Sequence, residues 1–305
     1  MSKTTTCLFA LAAAMLLIGC VTTAPTPLHD AAARGDISQV QQLLDKGVDV
    51  NAPDARGWTP LFNASTNGQI RVVALLLERG AQVDARNTNG GTALMWAAQN
   101  GHIETIKLLL DKGADVKATS RPGSTALMMA AIYGQTEAAQ LLLDKGADVN
   151  ARQNYNHNAT ALMFAAEKGY TETVKLLLDK GADISAKNSL GGTALEFAGR
   201  NGHAETVKLL LEHGADINVK DKLDCTALIA ATYWGRTECV KVLLEFGANI
   251  DLKTVPYQGY PAQNALDVAR AKGLTAIVQL IEAASQRGVA QPTLLPKNNQ
   301  GNEPF

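Results

Sequence analysis

Residues 89–118 read NGGTALMWAAQNGHIETIKLLLDKGADVKA, and the order of threonine, glycine and leucine in that stretch decides the fold. Thr92 stands directly before an apolar run, where its hydroxyl can accept from an orphan amide of a starting helix. Ala97 and Ala98 are small enough to let a neighbouring helix come close, and Gly101 breaks the run so that the chain can turn back. Ile103, Ile106, Leu109 and Leu110 then share one face at helical spacing, with Glu104, Lys107 and Asp111 turned outward. Gly113 supplies a left-handed residue that ends this second helix. The closing ADVKA has too few apolar residues for a core strand and predicts an extended turn or hairpin. Neither short helix can bury its apolar stripe alone, so the unit must stack on copies of itself.

The copies are present. Threonine precedes Ala-Leu or Pro-Leu at Thr26, Thr59, Thr92, Thr125, Thr160, Thr193 and Thr226, in steps of 33, 33, 33, 35, 33 and 33 residues, and Asn264 takes the next place after 38. Eight units result. At Thr59 the next residue is Pro60, suited to a first helical position where no amide is needed.

TPLHDAA at 26–32 and LLLDKGAD at 108–115, 141–148 and 176–183 resemble the ankyrin repeat, and the likeness covers roughly residues 25–284. The resemblance implies an all-α repeat solenoid: helix-turn-helix pairs joined by hairpin turns, about eight units including the caps. It also implies a concave face, built from hairpin tips and first helices, on which protein partners dock. The family's Pro and His give way to Ala and to Met95, Met128, Met163, Glu196 or Ile229, which removes the local hydrogen bond usual for that His. Asn264 to Ala284 reads as a capping helix pair, and residues 285–305, rich in Gln, Asn, Pro and Gly, read as a disordered tail.

The first residues differ from the array. Lys3 is the only charge before the apolar run LFALAAAMLLI at 8–18. As a helix that run spans about 16 Å, too short for a bilayer core of about 30 Å, so it reads as a secretory signal. Leu17-Ile18-Gly19-Cys20 resembles the bacterial lipobox. That resemblance implies a signal peptide over 1–19, cleavage before Cys20, lipidation of its sulfur, and a short tether over 20–24. Two or more acyl chains anchor stably where one does not. Val21 in place of an aspartate leans toward sorting to the outer membrane, facing the periplasm.

Composition excludes several classes. With 46% hydrophobic residues and a formal net charge of −1, the chain can bury a core but has no polybasic field for nucleic acid. His102 with Glu104 and His203 with Glu205 form the HxE of zinc deaminases, but the PCxxC that class also needs is missing, and the pairs fall where ankyrin repeats ordinarily read GHxE. His29, His157 and His213 are isolated, and GxSxG, HExxH and phosphate-binding glycine loops do not occur. Catalysis, cofactors, metals and small-molecule substrates are therefore not expected. Cys225 sits in a turn and Cys239 one turn into a helix, too far apart to bridge, so two free thiols are expected.

What remains is a surface. The residue before each mid-unit glycine belongs to the concave face that the resemblance implies, and most such residues are polar. Ile132 with Tyr133 and Tyr233 with Trp234 are apolar pairs where solvation favours polar residues; Arg200 lies in the same stripe. Aromatic anchors concentrate binding energy. Three repeat steps at helix-packing distances put Tyr133 and Trp234 about 25–30 Å apart, which calls for a long partner or two. Tyr155 and His157, in the two-residue expansion, and Tyr257 and Tyr260, in a longer insertion, are further candidates because loop insertions in arrays often bind. The expectation is a noncatalytic scaffold moored through Cys20, binding a protein and supporting an envelope or oxidative-stress enzyme, since periplasmic ankyrin proteins it resembles are associated with such defence. An immunity protein that binds and blocks a toxin is the alternative.

Overall fold

The computed structural model describes residues 26–154, 157–256 and 261–286. Cys20, Tyr155, Tyr257 and Tyr260, the signal segment, the tether and residues 287–305 lie outside the described residues. Sixteen helices, in eight pairs, make up the described residues, which contain one isolated antiparallel bridge, Gln153 to Ala159, and no strand. The chain divides into two compact units, residues 1–97 with 104–115, and residues 98–103 with 116–305.

The first unit holds α1 (Pro27–Arg34), α2 (Ile37–Asp45), α3 (Pro60–Thr66) and α4 (Ile70–Glu78), together with most of α5 (Ala93–Gln99) and α6 (Ile103–Asp111). The second holds α7 (Ala126–Ile132), α8 (Thr136–Asp144), α9 (Ala161–Lys168), α10 (Thr171–Asp179), α11 (Ala194–Asn201), α12 (Ala204–Glu212), α13 (Ala227–Tyr233), α14 (Thr237–Glu245), α15 (Ala265–Ala271) and α16 (Thr275–Gln286). The last helix runs two residues past the boundary drawn at Ala284.

Burial follows one template inside the array. The six second helices from α4 to α14 bury positions i, i+1 and i+4: Val72, Val73 and Leu76 in α4; Thr173, Val174 and Leu177 in α10; Cys239, Val240 and Leu243 in α14. The end helices bury less, Val40 alone in α2 and Ile277 with Ile281 in α16. In α6 the buried set is Thr105, Ile106 and Leu109, while Ile103 and Leu110 are half-buried, so the inward face is narrower than the leucine run alone implies. Cys239 therefore serves as a small core residue at a place other repeats fill with valine, alanine or threonine. First helices are packed through alanine: Ala130 and Ala131 in α7, and Ala165 and Ala166 in α9, are fully buried.

The threonine caps divide into two kinds. Thr125, Thr160, Thr193 and Thr226 accept from the amide three residues on, at 3.2–3.4 Å. The hydroxyls of Thr59 and Thr92 have no partner, contrary to the cap expected at Thr92. The reason is local: the amides of Phe62 and Met95 are taken by the carbonyls of Thr59 and Thr92 themselves, at 3.0 and 3.1 Å, in a tighter first turn.

The hairpins are held by a side chain that accepts two amides at once. Oδ1 of Asp54, Asn87, Asn188 and Asp221 each accepts from the residues two and four positions on, at 2.8–3.0 Å. Successive tips are then joined by single backbone bonds: Thr88 N–H to Arg56 O at 2.9 Å in the first unit, and Lys222 N–H to Leu190 O and Val255 N–H to Leu223 O, both 2.9 Å, in the second.

A second junction joins neighbouring repeats at the mid-unit turn. Gln69 Nε2 donates to Ala33 O at 3.2 Å in the first unit. In the second unit His203 Nε2 donates to Glu167 O at 2.9 Å and Arg236 Nε to Arg200 O at 3.1 Å. Each of these side chains lies over the glycine of the preceding turn. Gly169 has φ +74°, and a Cβ there would collide with the His203 ring, so glycine is required both for backbone and for space.

Candidate functional site

Three of the five histidines have structural duties. His29 is fully buried: Thr26 N–H donates to its Nδ1 at 3.1 Å, and its Nε2 donates to Trp58 O at 2.9 Å. His203 makes the junction just described, and His213 bonds Leu209 O within its own helix end at 2.8 Å. Among the described residues no group of three or more His, Cys, Asp or Glu side chains is placed to hold a metal ion. Nor is any described helix long and apolar enough to cross a membrane.

Cys225 and Cys239 are free thiols. Burial, reinforced by the neighbouring carboxylates of Glu196 and Asp221, pushes the Cys225 thiol up to about 12, and burial pushes Cys239 up to about 11. Both stay protonated near neutral pH and are poor nucleophiles.

Two features of the second unit stand apart. The first is aromatic. Tyr233, the last residue of α13, is 52% exposed, and Trp234, which caps that helix, is 54% exposed. Their rings meet edge to face with centroids 5.6 Å apart. Lys272, from the next repeat, places Nζ 3.9 Å from the Tyr233 ring centroid and donates to Tyr233 O at 2.6 Å. The pair is thus held in place before anything binds it. At the equivalent position of α7, Tyr133 is 48% exposed, whereas Ile132 beside it is half-buried and offers little free surface.

The second feature is a cavity of about 420 Å³ formed by α9, α11 and the hairpins that precede and follow α11. It brings together Arg200 and His157, both flagged by sequence, with Glu167, Glu196 and Asp221, which were not flagged as site residues. Phe164, Phe197 and Met163 supply apolar wall. The two-residue expansion builds one edge: Gln153 N–H donates to Ala159 O at 2.9 Å, and Ser189 N–H donates to His157 O at 2.6 Å. His157 and Asn158 sit at φ 52° and 59°, a left-handed conformation uncommon for residues with a Cβ.

Glu196 is the unusual member. Burial, with Asp221 adding repulsion and Arg200 only partly offsetting it, raises its carboxyl to about 7. Arg200 does not close an ion pair with it; its guanidinium lies 4.9 Å from the Phe197 ring centroid. One sequence signal could have found this site: between the two end units, Glu196 is the ionisable residue at a position that the other inner units fill with Phe62, Met95, Met128, Met163 or Ile229.

Comparison with known proteins adds the relatives. The family model described as "Ankyrin repeats (3 copies)" matches residues 9–87, 28–120, 81–153, 119–188 and 150–221, and the single "Ankyrin repeat" model matches 223–255. Among solved structures, the crystal structure of the human ASB11 ankyrin repeat domain is similar, with a TM-score of 0.66 and 29% sequence identity, over 73% of this chain and 98% of that one. No curated protein matches the chain.

Proposed function

Because this chain belongs to the ankyrin repeat family, a family of protein-interaction scaffolds, we propose that it is a noncatalytic, lipid-anchored scaffold that captures a protein partner through its second unit. The observation that carries the reading is the solvent-exposed, pre-oriented Tyr233–Trp234 pair. Two large rings exposed side by side bury much apolar area when a partner covers them, and rings already held in place lose little entropy on binding. Tyr133, at the same register in α7, extends the surface.

The test is capture from envelope fractions by the wild type and by a Tyr133→Ala/Trp234→Ala variant. Each anchor is expected to contribute about 2 kcal/mol, so the double variant loses about a thousandfold in affinity while its melting transition stays near that of the wild type. Equal capture by the two proteins removes the aromatic pair from the site.

Mooring through Cys20 is the second part of the proposal and rests on the lipobox resemblance of Leu17 to Cys20. Cys20→Ala is expected to abolish incorporation of labelled fatty acid, leave the precursor uncut and release the protein from its membrane fraction. A Cys20→Ala protein that matures and sediments normally with membranes rules the anchor out.

A further inference from the structure

The cavity between α9 and α11 has a wall of unequal charge. Glu167, Glu196 and Asp221 line it against one guanidinium, Arg200. These groups are not equivalent. Asp221 spends Oδ1 on the amides of Leu223 and Cys225, at 2.8 Å each, as the clamp of its hairpin. Arg200 is laid against the Phe197 ring. Glu196 has no hydrogen-bond or ion-pair partner for its carboxylate among the described residues, although it is half-buried. A carboxylate drawn out of water is costly until a cation or donors replace its hydration.

The rim supplies the other half of the recognition. Leu190 and Leu223, at the tips of two successive hairpins, are 49% and 44% exposed and line the same cavity. Phe164, which is buried, and Phe197, which is half-buried, add apolar wall beside Glu196, itself half-buried and so less exposed than the two leucines. An occupant therefore meets hydrocarbon first and a negative charge at depth. That is the profile of a long basic side chain, whose methylene stem packs on apolar surface and whose tip carries charge. An anion would face three carboxylates, and a purely apolar occupant would leave Glu196 desolvated with no partner.

We propose that this cavity receives the extended basic side chain, arginine or lysine, of a protein partner, with the cationic tip on Glu196 and the stem between Leu190 and Leu223. This rests on the scaffold reading for the existence of a partner, but the cavity can be tested without one. A cation on Glu196 must displace the proton that burial and Asp221 favour, so binding is linked to pH through Glu196. Asp221, Glu167, Arg200 and His157 are the other charged or titratable groups lining the cavity, and Cys225 on the following turn stays neutral.

The probes are the blocked tripeptides Ac-Gly-Arg-Gly-NH₂ and Ac-Gly-Lys-Gly-NH₂, with the citrulline tripeptide as an uncharged isostere. The readout is the methyl NMR signal of Met163, which lies in the cavity wall. At pH 8 at least one cationic peptide is expected to shift that signal saturably, with at least tenfold higher affinity than the citrulline peptide. With Glu196 titrating near 7, affinity should drop by tens of fold at pH 5. Glu196→Gln should bind at least fivefold more weakly at pH 8 and lose most of the pH dependence, whereas His157→Asn should keep it. The proposal is overturned by absence of a saturable Met163 shift, by an equal response to citrulline, or by Glu196→Gln binding like the wild type. Any of these leaves the aromatic capture result standing on its own.

Discussion

Leu177→Ala is expected to lower the stability of the second unit by about 2–5 kcal/mol, the range for removing a fully buried leucine side chain and leaving a cavity. Leu177 is the i+4 member of the buried set in α10 and is completely excluded from water. α10 packs against α8 and α12, the second helices of both flanking repeats, so the loss is expected to weaken two interfaces and not only one helix. In a stacked array stability is close to a sum of repeat and nearest-neighbour terms. Hydrogen exchange should therefore show lost protection first in α9 and α10 and in the flanking α8 and α12, with the urea midpoint falling in step. A change under 1 kcal/mol, or uniform loss of protection along the whole second unit, would count against a stack held by neighbour contacts.

Replacing Glu196 with glutamine is expected to raise stability at pH 8 and to leave it nearly unchanged below pH 4.5. The carboxyl is raised to about 7 in the folded chain, from 4.5 as the ordinary value. Between those two values the folded state holds a proton that the unfolded state has released, so wild-type stability falls as pH rises through the window. The full difference corresponds to about 3 kcal/mol at most, at about 1.4 kcal/mol per pH unit, and is complete above pH 7. Glutamine has no proton to lose and keeps the neutral contact. Urea unfolding of both proteins at pH 4.5, 6 and 8 measures it, and the difference between them cancels other titrating groups. Parallel stability profiles for the two proteins would show that Glu196 is solvated like a surface carboxylate.

The fold was legible because it is written as a period. Threonine steps of 33 residues, alanine pairs, and glycines at both turns each state the same unit, and the described residues form eight helix pairs in that register. Less legible was how each unit starts and how units join. Thr59 and Thr92 look like Thr125 in sequence, yet the first turn tightens enough for the threonine carbonyl to take the amide the hydroxyl was expected to hold. His203 resembles a ligand by its spacing to Glu205, but its ring is committed to Glu167 O. Exposure of Tyr133, Tyr233 and Trp234 could be read from the departure from polar residues in the stripe; the half-burial of Ile132 could not, since it depends on how closely the neighbouring repeat covers it. The cavity was missed for a similar reason. A carboxylate in an apolar register can be seen in one dimension, but whether a guanidinium neutralises it depends on a rotamer, and Arg200 turns to Phe197.

Gln69, His203 and Arg236 perform the same task with three different chemistries, and in each case the acceptor is a main-chain carbonyl. A carbonyl is present whatever amino acid carries it, so the upstream partner needs only its turn glycine and no matching side chain. Coupling of this kind is blind to ancestry: a repeat copied from elsewhere in the gene would find a ready socket on arrival, and one deleted would leave flanking copies able to dock to each other. Changes in array length can therefore be inherited in whole-unit increments without a compensating mutation at the seam.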